Sequence, residues 1–86
     1  MRTGRVFRVK FISPTTHRGA RVSITDLHHG TRIMLDYDYE TGNITSQAIN
    51  HLGANGIPVK YETWSIVDGC NYLWSTEFAQ QLRKDV

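Results

Sequence analysis

Three segments in the first 39 residues alternate between apolar and polar side chains, and this pattern constrains the fold more than any other feature of the chain. The alternation runs through Arg5–Ile12 and through residues 20–25 and 31–39. Successive side chains of a β-strand point to opposite faces of its sheet, so each segment is predicted to be a strand with one buried face. The connections are short, and we therefore expect an antiparallel meander of three strands.

The apolar period changes after residue 39 and predicts one short helix. Its apolar positions are Ile44, Ala48, Ile49 and Leu52. Asn43 or Thr45 is the candidate N-cap, because a side-chain oxygen there can accept from the free backbone N–H groups of the first turn. Glycine, asparagine and proline in residues 53–58 are stop signals. A helix of two to three turns is marginal alone, so we expect it to pack on the sheet.

The remainder of the chain returns to extended patterning. Residues 59–67 are rich in β-branched and aromatic side chains and predict a fourth strand. Residues 68–71 carry a hairpin-turn signal, and residues 72–78 predict a fifth strand. Residues 78–84 are expected to form one or two helical turns. The predicted fold class is α+β, with a single antiparallel sheet in the order β-β-β-α-β-β and one short helix on one face.

Size and composition predict one small domain over residues 1–86. Hydrophobic residues make up 40% and charged residues 21%, which is typical of a globular protein. No apolar run has the length of a transmembrane helix, and the basic N-terminus lacks the long apolar segment of a secretory signal. Cys70 is the single cysteine, which excludes an internal disulfide and favours a reducing cytoplasm.

The charges are unevenly distributed along the chain. Residues 1–32 hold seven basic residues and one acidic residue, whereas residues 33–86 hold three basic and seven acidic residues. The two parts therefore carry +6 and −4. The asymmetry predicts a dipolar surface if the two parts are segregated in space. The alternative is that basic and acidic strands lie side by side and form cross-strand ion pairs.

The segment between the first two predicted strands, residues 14–21, concentrates polar chemistry. Its candidate partner-binding residues are Thr15, His17, Arg18 and Arg21. Hydroxyl groups and forked guanidinium groups suit the recognition of carboxylate or phosphate. The alternative is a purely structural turn whose arginines bind Asp36, Asp38 or nearby carbonyl groups. The segment lacks the glycine pattern and the lysine of a phosphate-binding loop.

The same segment carries a sequence resemblance. It reads Lys10-Phe11-Ile12-Ser13-Pro14-Thr15-Thr16-His17-Arg18-Gly19-Ala20-Arg21. This run resembles a Lys-x-x-x-Pro-Thr-x-x-Arg-Gly-x-Arg motif found in small phage and mobile-element proteins of unassigned function. Tyr37-Asp38 and, less closely, Asn50-His51 extend the resemblance. It implies a genetic origin, but no reaction and no cofactor.

Basic and aromatic side chains on the predicted strands form a second candidate surface. The basic residues are Arg5, Arg8 and Lys10, joined by Arg21 and Arg32 if their strands lie alongside. The aromatic residues that would serve as stacking platforms, if exposed, are Tyr61, Trp64, Tyr72 and Trp74. Such a surface can contact backbone phosphates, although no recognised nucleic-acid fingerprint is present. The alternative is a solvated sheet face with no ligand.

Catalytic and metal chemistry have weak support in the sequence. The four histidines, His17, His28, His29 and His51, do not make metal-ligand spacing with Cys70. Asp36 and Asp38 lie on one side of a predicted strand, but no set of nucleophile, base and orienting group stands out. We therefore expect no catalytic residues, no metal and no cofactor.

These observations lead to one principal functional hypothesis and two alternatives. The principal hypothesis is a non-enzymatic phage or mobile-element accessory protein in the cytoplasm of a host cell. It would bind a host protein or ribonucleoprotein complex, for instance as an anti-defence (anti-CRISPR-like) inhibitor, an assignment by analogy. The first alternative is a small nucleic-acid-binding accessory protein that uses the basic strand face. The second is a homodimer formed through a free edge strand.

Overall fold

Five strands and one helix form the fold in the computed structural model, which describes residues 4–64 and 69–84. The elements are β1 (Arg5–Ile12), β2 (Arg21–Asp26), β3 (Arg32–Asp36), α1 (Ile44–Ala54), β4 (Tyr61–Trp64) and β5 (Asn71–Ser75). The strands form one sheet in the order β3-β2-β1-β5-β4, and every neighbouring pair is antiparallel. The predicted α+β class and element order are confirmed.

The register of the meander places one apolar stripe across the sheet. Val9 lies opposite Ile24, which in turn lies opposite Ile33. Cross-strand partners share a face, so these side chains form one surface. The helix packs on this surface, chiefly over β1 and β2. The core contains Phe7, Val9, Val22, Ile24, Ile33, Ala48, Leu52, Ile57, Leu73 and Leu82.

The helix has a defined cap at each end. Asn43 is the N-cap, and its Oδ1 accepts from the backbone N–H groups of Thr45 and Ser46. At the other end, the N–H of Ile57 donates to the carbonyl of Leu52, and Gly56 adopts a positive φ of 79°. This is a Schellman ending, and Leu52 and Ile57 are both buried in the core. Of the two predicted N-caps, the structure uses Asn43.

Strand β3 ends at Asp36, three residues earlier than the prediction of a strand to residue 39. The side-chain amide of Gln47 replaces the missing strand neighbour: its Nε2 donates to the carbonyl of Asp36, and its Oε1 accepts from the N–H of Asp38. A helix side chain therefore satisfies backbone groups that an extended β3 would need another strand to pair. Tyr39, the last residue of the predicted strand, is 73% exposed.

The last residues adopt a different conformation from the predicted helical turns over 78–84, and that prediction is wrong. The carboxylate of Glu77 accepts from the backbone N–H groups of Ala79 and Gln80, which makes a local turn. Leu82 then enters the core, and the N–H of Arg83 donates to the Asn55 side chain. These contacts fix the segment in an irregular conformation. Strand β5 also ends at Ser75 rather than at residue 78, and part of the predicted strand 59–67 and hairpin 68–71 lies outside the described residues.

Arg5 lies on the helix-facing side of β1, so its assignment to the basic strand face is wrong. Its side chain is fully buried and forms an ion pair with Asp26. The alternation itself accounts for this position, because Arg5 and Phe7 are two residues apart and share a face. The basic strand face consists of Arg8 and Lys10 on β1, with residues contributed by β2 and β3.

Candidate functional site

The sheet has a second face, opposite α1, on which no helix or strand of residues 4–64 and 69–84 packs. We call it the open face. Its outward-pointing residues on β1, β2 and β3 are Val6, Arg8, Lys10, Ile12, Arg21, Ser23, Thr25, Arg32, Met34 and Asp36. Four of these are basic and one is acidic, so the open face is cationic even though the chain as a whole carries only +2.

The cross-strand register arranges the cations in rows. Arg8 lies opposite Thr25, and Thr25 lies opposite Arg32, which makes one row across three strands. Lys10 lies opposite Ser23 in the next row. Adjacent strands are about 4.8 Å apart, so Arg8 and Arg32 stand about 10 Å apart across the sheet. The antiparallel meander therefore brings together residues that are 24 positions apart in sequence.

These rows border a surface depression of about 360 Å³. Its lining residues are Arg8, Lys10, Ser23, Thr25, Arg32 and Cys70. The Nε of Arg32 donates to Ser23 Oγ over 3.2 Å, which fixes the guanidinium above β2. In the described part of the chain no ion pair involves Arg8, Lys10 or Arg32. A depression whose described lining has three cations, two hydroxyl groups and no carboxylate suits a phosphate or another anion.

Aromatic side chains continue the open face on the other side of β1. Tyr72 on β5 lies opposite Arg8, and Trp74 lies opposite Val6 on one side and Tyr61 of β4 on the other. Tyr61 is 72% exposed and Trp74 is 39% exposed. The sequence singled out all three as candidate platforms; the Trp64 side chain lies outside the described residues.

Arg21 occupies the end of the open face nearest the loop between β1 and β2. It lies opposite Asp36 in the register, yet no described ion pair joins Arg21 or Arg32 to Asp36 or Asp38. The Nε of Arg21 is buried and has no hydrogen-bond partner among the described residues. The carboxylate of Asp38 instead accepts from the Thr41 hydroxyl and from backbone N–H groups, and these bonds lower its pKa.

The loop between β1 and β2 stands apart from the depression. Residues 13–19 are all exposed. The N–H of Thr15 donates to the carbonyl of Arg18, and the Thr15 hydroxyl accepts from the N–H of Arg18, so this hydroxyl closes a turn. Of the predicted partner-binding residues, the structure groups Arg8, Lys10 and Arg32, with Arg21 on the same face; Thr15, His17 and Arg18 lie in the separate loop.

Sequence reasoning missed Ser23, Thr25 and Cys70 as members of the site. Ser23 and Thr25 had a usable signal, because both alternate with the core residues of β2 and share a face with Arg21. Cys70 had none, because its place beside Arg8 and Lys10 depends on the pairing of β5 with β1.

A second cluster of titratable groups lies on the helix-facing side, at the turn after β2. Asp26 accepts from the Arg5 guanidinium, from the backbone N–H groups of His28 and His29, and from the His29 ring at 2.9 Å. Burial alone would raise the pKa of Asp26, but these hydrogen bonds outweigh it and lower the pKa. The cluster ties β1, the β2–β3 turn and Glu77 together, which is a structural role.

Within the described ranges there is no group of three or more His, Cys, Asp or Glu side chains arranged to hold a metal ion. None of the helices described is long and apolar enough to cross a membrane. No family model, no curated protein and no solved structure matches the chain. The resemblance to phage and mobile-element proteins stays a prediction, and the structure defines a small α+β domain with a cationic, aromatic sheet surface.

Proposed function

We propose that this protein is a non-enzymatic nucleic-acid-binding protein and that the open face of its sheet is the binding surface. The observation that carries the proposal is the depression shared by Arg8, Lys10 and Arg32, three cations for which the described residues 4–64 and 69–84 supply no ion pair and no carboxylate on the lining. Isolated cations at a protein surface attract phosphate, and a group of them supplies the sequence-independent part of nucleic-acid affinity.

The distribution of the cations favours a polyanion over a single small anion. The backbones of Arg8 and Arg32 are separated by about 10 Å across the sheet, and Arg21 extends the charge to the start of β2. The cations therefore extend beyond the shared depression, and the successive phosphates of a chain can contact more of them than a single phosphate can. The same spread disfavours a two-fold dimer through this face, since an isologous contact would bring two cationic surfaces together.

The principal hypothesis from the sequence, binding of a host protein complex in the cytoplasm of a host cell, stays a prediction. Its specific support is the loop 14–21, whose exposed Arg18 and His17 are available to a partner. An anti-defence activity is one form that such binding would take. The geometry favours the nucleic-acid proposal because Arg8, Lys10 and Arg32 lie together on the sheet, and none of the exposed loop residues 13–19 lines the depression that they share.

The test is the salt dependence of binding to fluorescein-labelled oligonucleotides, measured by fluorescence anisotropy. About three phosphate contacts predict a log–log slope near −2 for a single strand or near −3 for a duplex. Arg8→Ala, Lys10→Ala and Arg32→Ala should each weaken binding and reduce the slope by about 1. Lys84→Ala is the charge-matched control, because Lys84 is exposed and does not line the depression.

Two results would contradict the proposal. One is the absence of binding at low salt, about 50 mM, where phosphate contacts are strongest. The other is binding whose affinity and slope respond equally to Lys84→Ala and to Arg8→Ala, because that would reflect net charge rather than a site.

A further inference from the structure

We infer that the ligand is a single-stranded nucleic acid whose bases stack on Trp74 and Tyr61 while its phosphates contact the cations of β1 to β3. This inference rests on the proposed function and adds the strandedness of the ligand and the residues that select it. It follows from the division of the open face into a cationic part and an aromatic part that meet along β1 and β5.

The register places charge and rings next to each other. Arg8 and Tyr72 are cross-strand partners, and Trp74 follows two residues along β5 on the same face. Tyr61 is the partner of Trp74 on the edge strand β4. A chain with a phosphate at Arg8 therefore has aromatic side chains within one or two strand spacings, about 5 to 10 Å, which is within the reach of its own bases.

Trp74 is held in place on the open face. It lies against Gly4, where a Cβ would come 3.2 Å from Trp74 Cε3, a tight contact, so the glycine lets the indole pack closely on the backbone. The indole is therefore supported by the backbone on one side and is still 39% exposed. A ring that is already ordered loses little conformational entropy when a base stacks on it, which makes it an effective platform.

A duplex would leave the aromatic part unused. Bases in a duplex are stacked on each other and present only their edges, whereas the bases of a single strand are free to stack on protein side chains. Major-groove recognition commonly uses a helix, but α1 packs on the opposite face of the sheet from the cations. The geometry therefore offers a duplex phosphate contacts only, and a single strand phosphate contacts and stacking together.

The test compares single-stranded and duplex oligonucleotides of equal length, about 12 nucleotides, at the same salt concentration. Trp74→Ala and Tyr61→Ala should each lower single-strand affinity about tenfold and leave duplex affinity unchanged. Trp74→Phe, which keeps a ring, should retain most of the affinity. Tyr39→Ala is the control, since Tyr39 is as exposed as Tyr61 but lies outside the open face, next to Tyr37. In a Trp64→Phe background, single-strand binding should quench Trp74 fluorescence.

The outcomes separate this inference from the proposed function. If single strands and duplexes bind equally, and Arg8→Ala weakens both while Trp74→Ala changes neither, the inference is wrong and the proposed function stands. If neither nucleic acid binds, both are wrong. Circular dichroism spectra that match the unsubstituted protein are required of each variant, and Tyr61→Ala, at a more exposed position, supplies the measurement if Trp74→Ala does not fold.

Discussion

The guanidinium of Arg5 and the carboxylate of Asp26 meet inside the protein, with an Nη2–Oδ2 distance of 2.6 Å and no exposed surface on either side chain. Arg5 Nε also donates to the same carboxylate oxygen, and Nη1 donates to the carbonyl of Glu77. The guanidinium stands 4.9 Å from the ring centre of Phe7. The first strand, the β2–β3 turn and the segment after β5 are thus joined by one buried pair.

We expect Asp26→Ala to lower the free energy of unfolding by about 3 to 5 kcal/mol, because it removes the nearer counter-ion of the buried Arg5 guanidinium and leaves only the Glu77 carboxylate, at 3.8 Å. A domain of this size has a total stability of several kcal/mol, so the variant should be largely unfolded at room temperature. Urea denaturation followed by circular dichroism measures the change. Glu62→Ala removes an exposed carboxylate and is the control, with an expected change within about 0.5 kcal/mol.

Replacing both members of the pair tests whether Asp26→Ala destabilises the protein through an unpaired charge or through lost side-chain volume. Arg5→Met with Asp26→Leu removes the two charges together, so it should be more stable than Asp26→Ala alone. It should not recover fully, because the backbone N–H groups of His28 and His29 lose their acceptor. A double variant as unstable as Asp26→Ala would contradict this account of the pair.

Acid should destabilise the protein through the same cluster. Hydrogen bonds outweigh the effect of burial and lower the pKa of Asp26 below its ordinary value of 3.8, so the folded state favours the charged carboxylate. Its stabilising contribution is then complete above that ordinary value and is lost as the pH falls through the folded-state pKa. Backbone hydrogen bonds from Gln80 and Ala79 also lower the pKa of Glu77.

Urea midpoints measured from pH 6 to pH 2 test this expectation. The midpoint should be nearly constant down to about pH 5 and should fall steeply below about pH 4. Glu77→Gln should reduce the acid-dependent fall but not abolish it, because Asp26 still titrates. A midpoint that rises on acidification would show that these carboxylates are not stabilised in the charged form.

The alternation of apolar and polar side chains was enough to predict the meander and the face of the sheet that carries Arg8, Lys10 and Arg32. The alternation also puts Arg5 on the core side of β1. An arginine is stable there only with a buried acidic partner, and the alternation does not reveal that partner. That partner, Asp26, is 21 residues away. A charged residue on a core face is recognised as a buried ion pair only when the strand pairing is known.

Other differences from the prediction have the same origin in long-range contacts. The end of β3 depends on the Gln47 side chain, and the irregular tail depends on Asn55 and on burial of Leu82. The site was also only partly predictable. The exposure of Trp74 follows from the strand order, in which β5 lies between β1 and β4, and local sequence patterns do not contain that order.

The two glycines at the end of α1 should respond to alanine in opposite directions. Gly56 has a φ of +79°, so Gly56→Ala should destabilise the protein by about 1 to 2 kcal/mol. Gly53 lies within the helix and a Cβ there would have no atom within 4 Å, so Gly53→Ala should stabilise it by up to about 1 kcal/mol. Thermal unfolding of both variants measures the difference, and equal shifts of the same sign would contradict the assigned helix ending.

Arg18 in the loop and Arg8 on the open face are expected to contribute differently to nucleic-acid binding, and Arg18→Ala tests this difference. Arg18 is exposed and its turn is closed by backbone groups and the Thr15 hydroxyl, so the substitution should change stability by less than about 0.5 kcal/mol. It should also weaken nucleic-acid binding less than Arg8→Ala does, since Arg18 does not line the depression. Anisotropy titrations of the two variants at one salt concentration make this comparison. If Arg18→Ala weakens binding as much as Arg8→Ala, the phosphate path extends over the loop. A pull-down of the tagged protein from a host lysate treated with nuclease tests the other role of the loop. If Arg18→Ala abolishes the recovery of a host protein in this experiment and leaves nucleic-acid binding intact, the loop is the surface for a protein partner, as the sequence motif led us to expect.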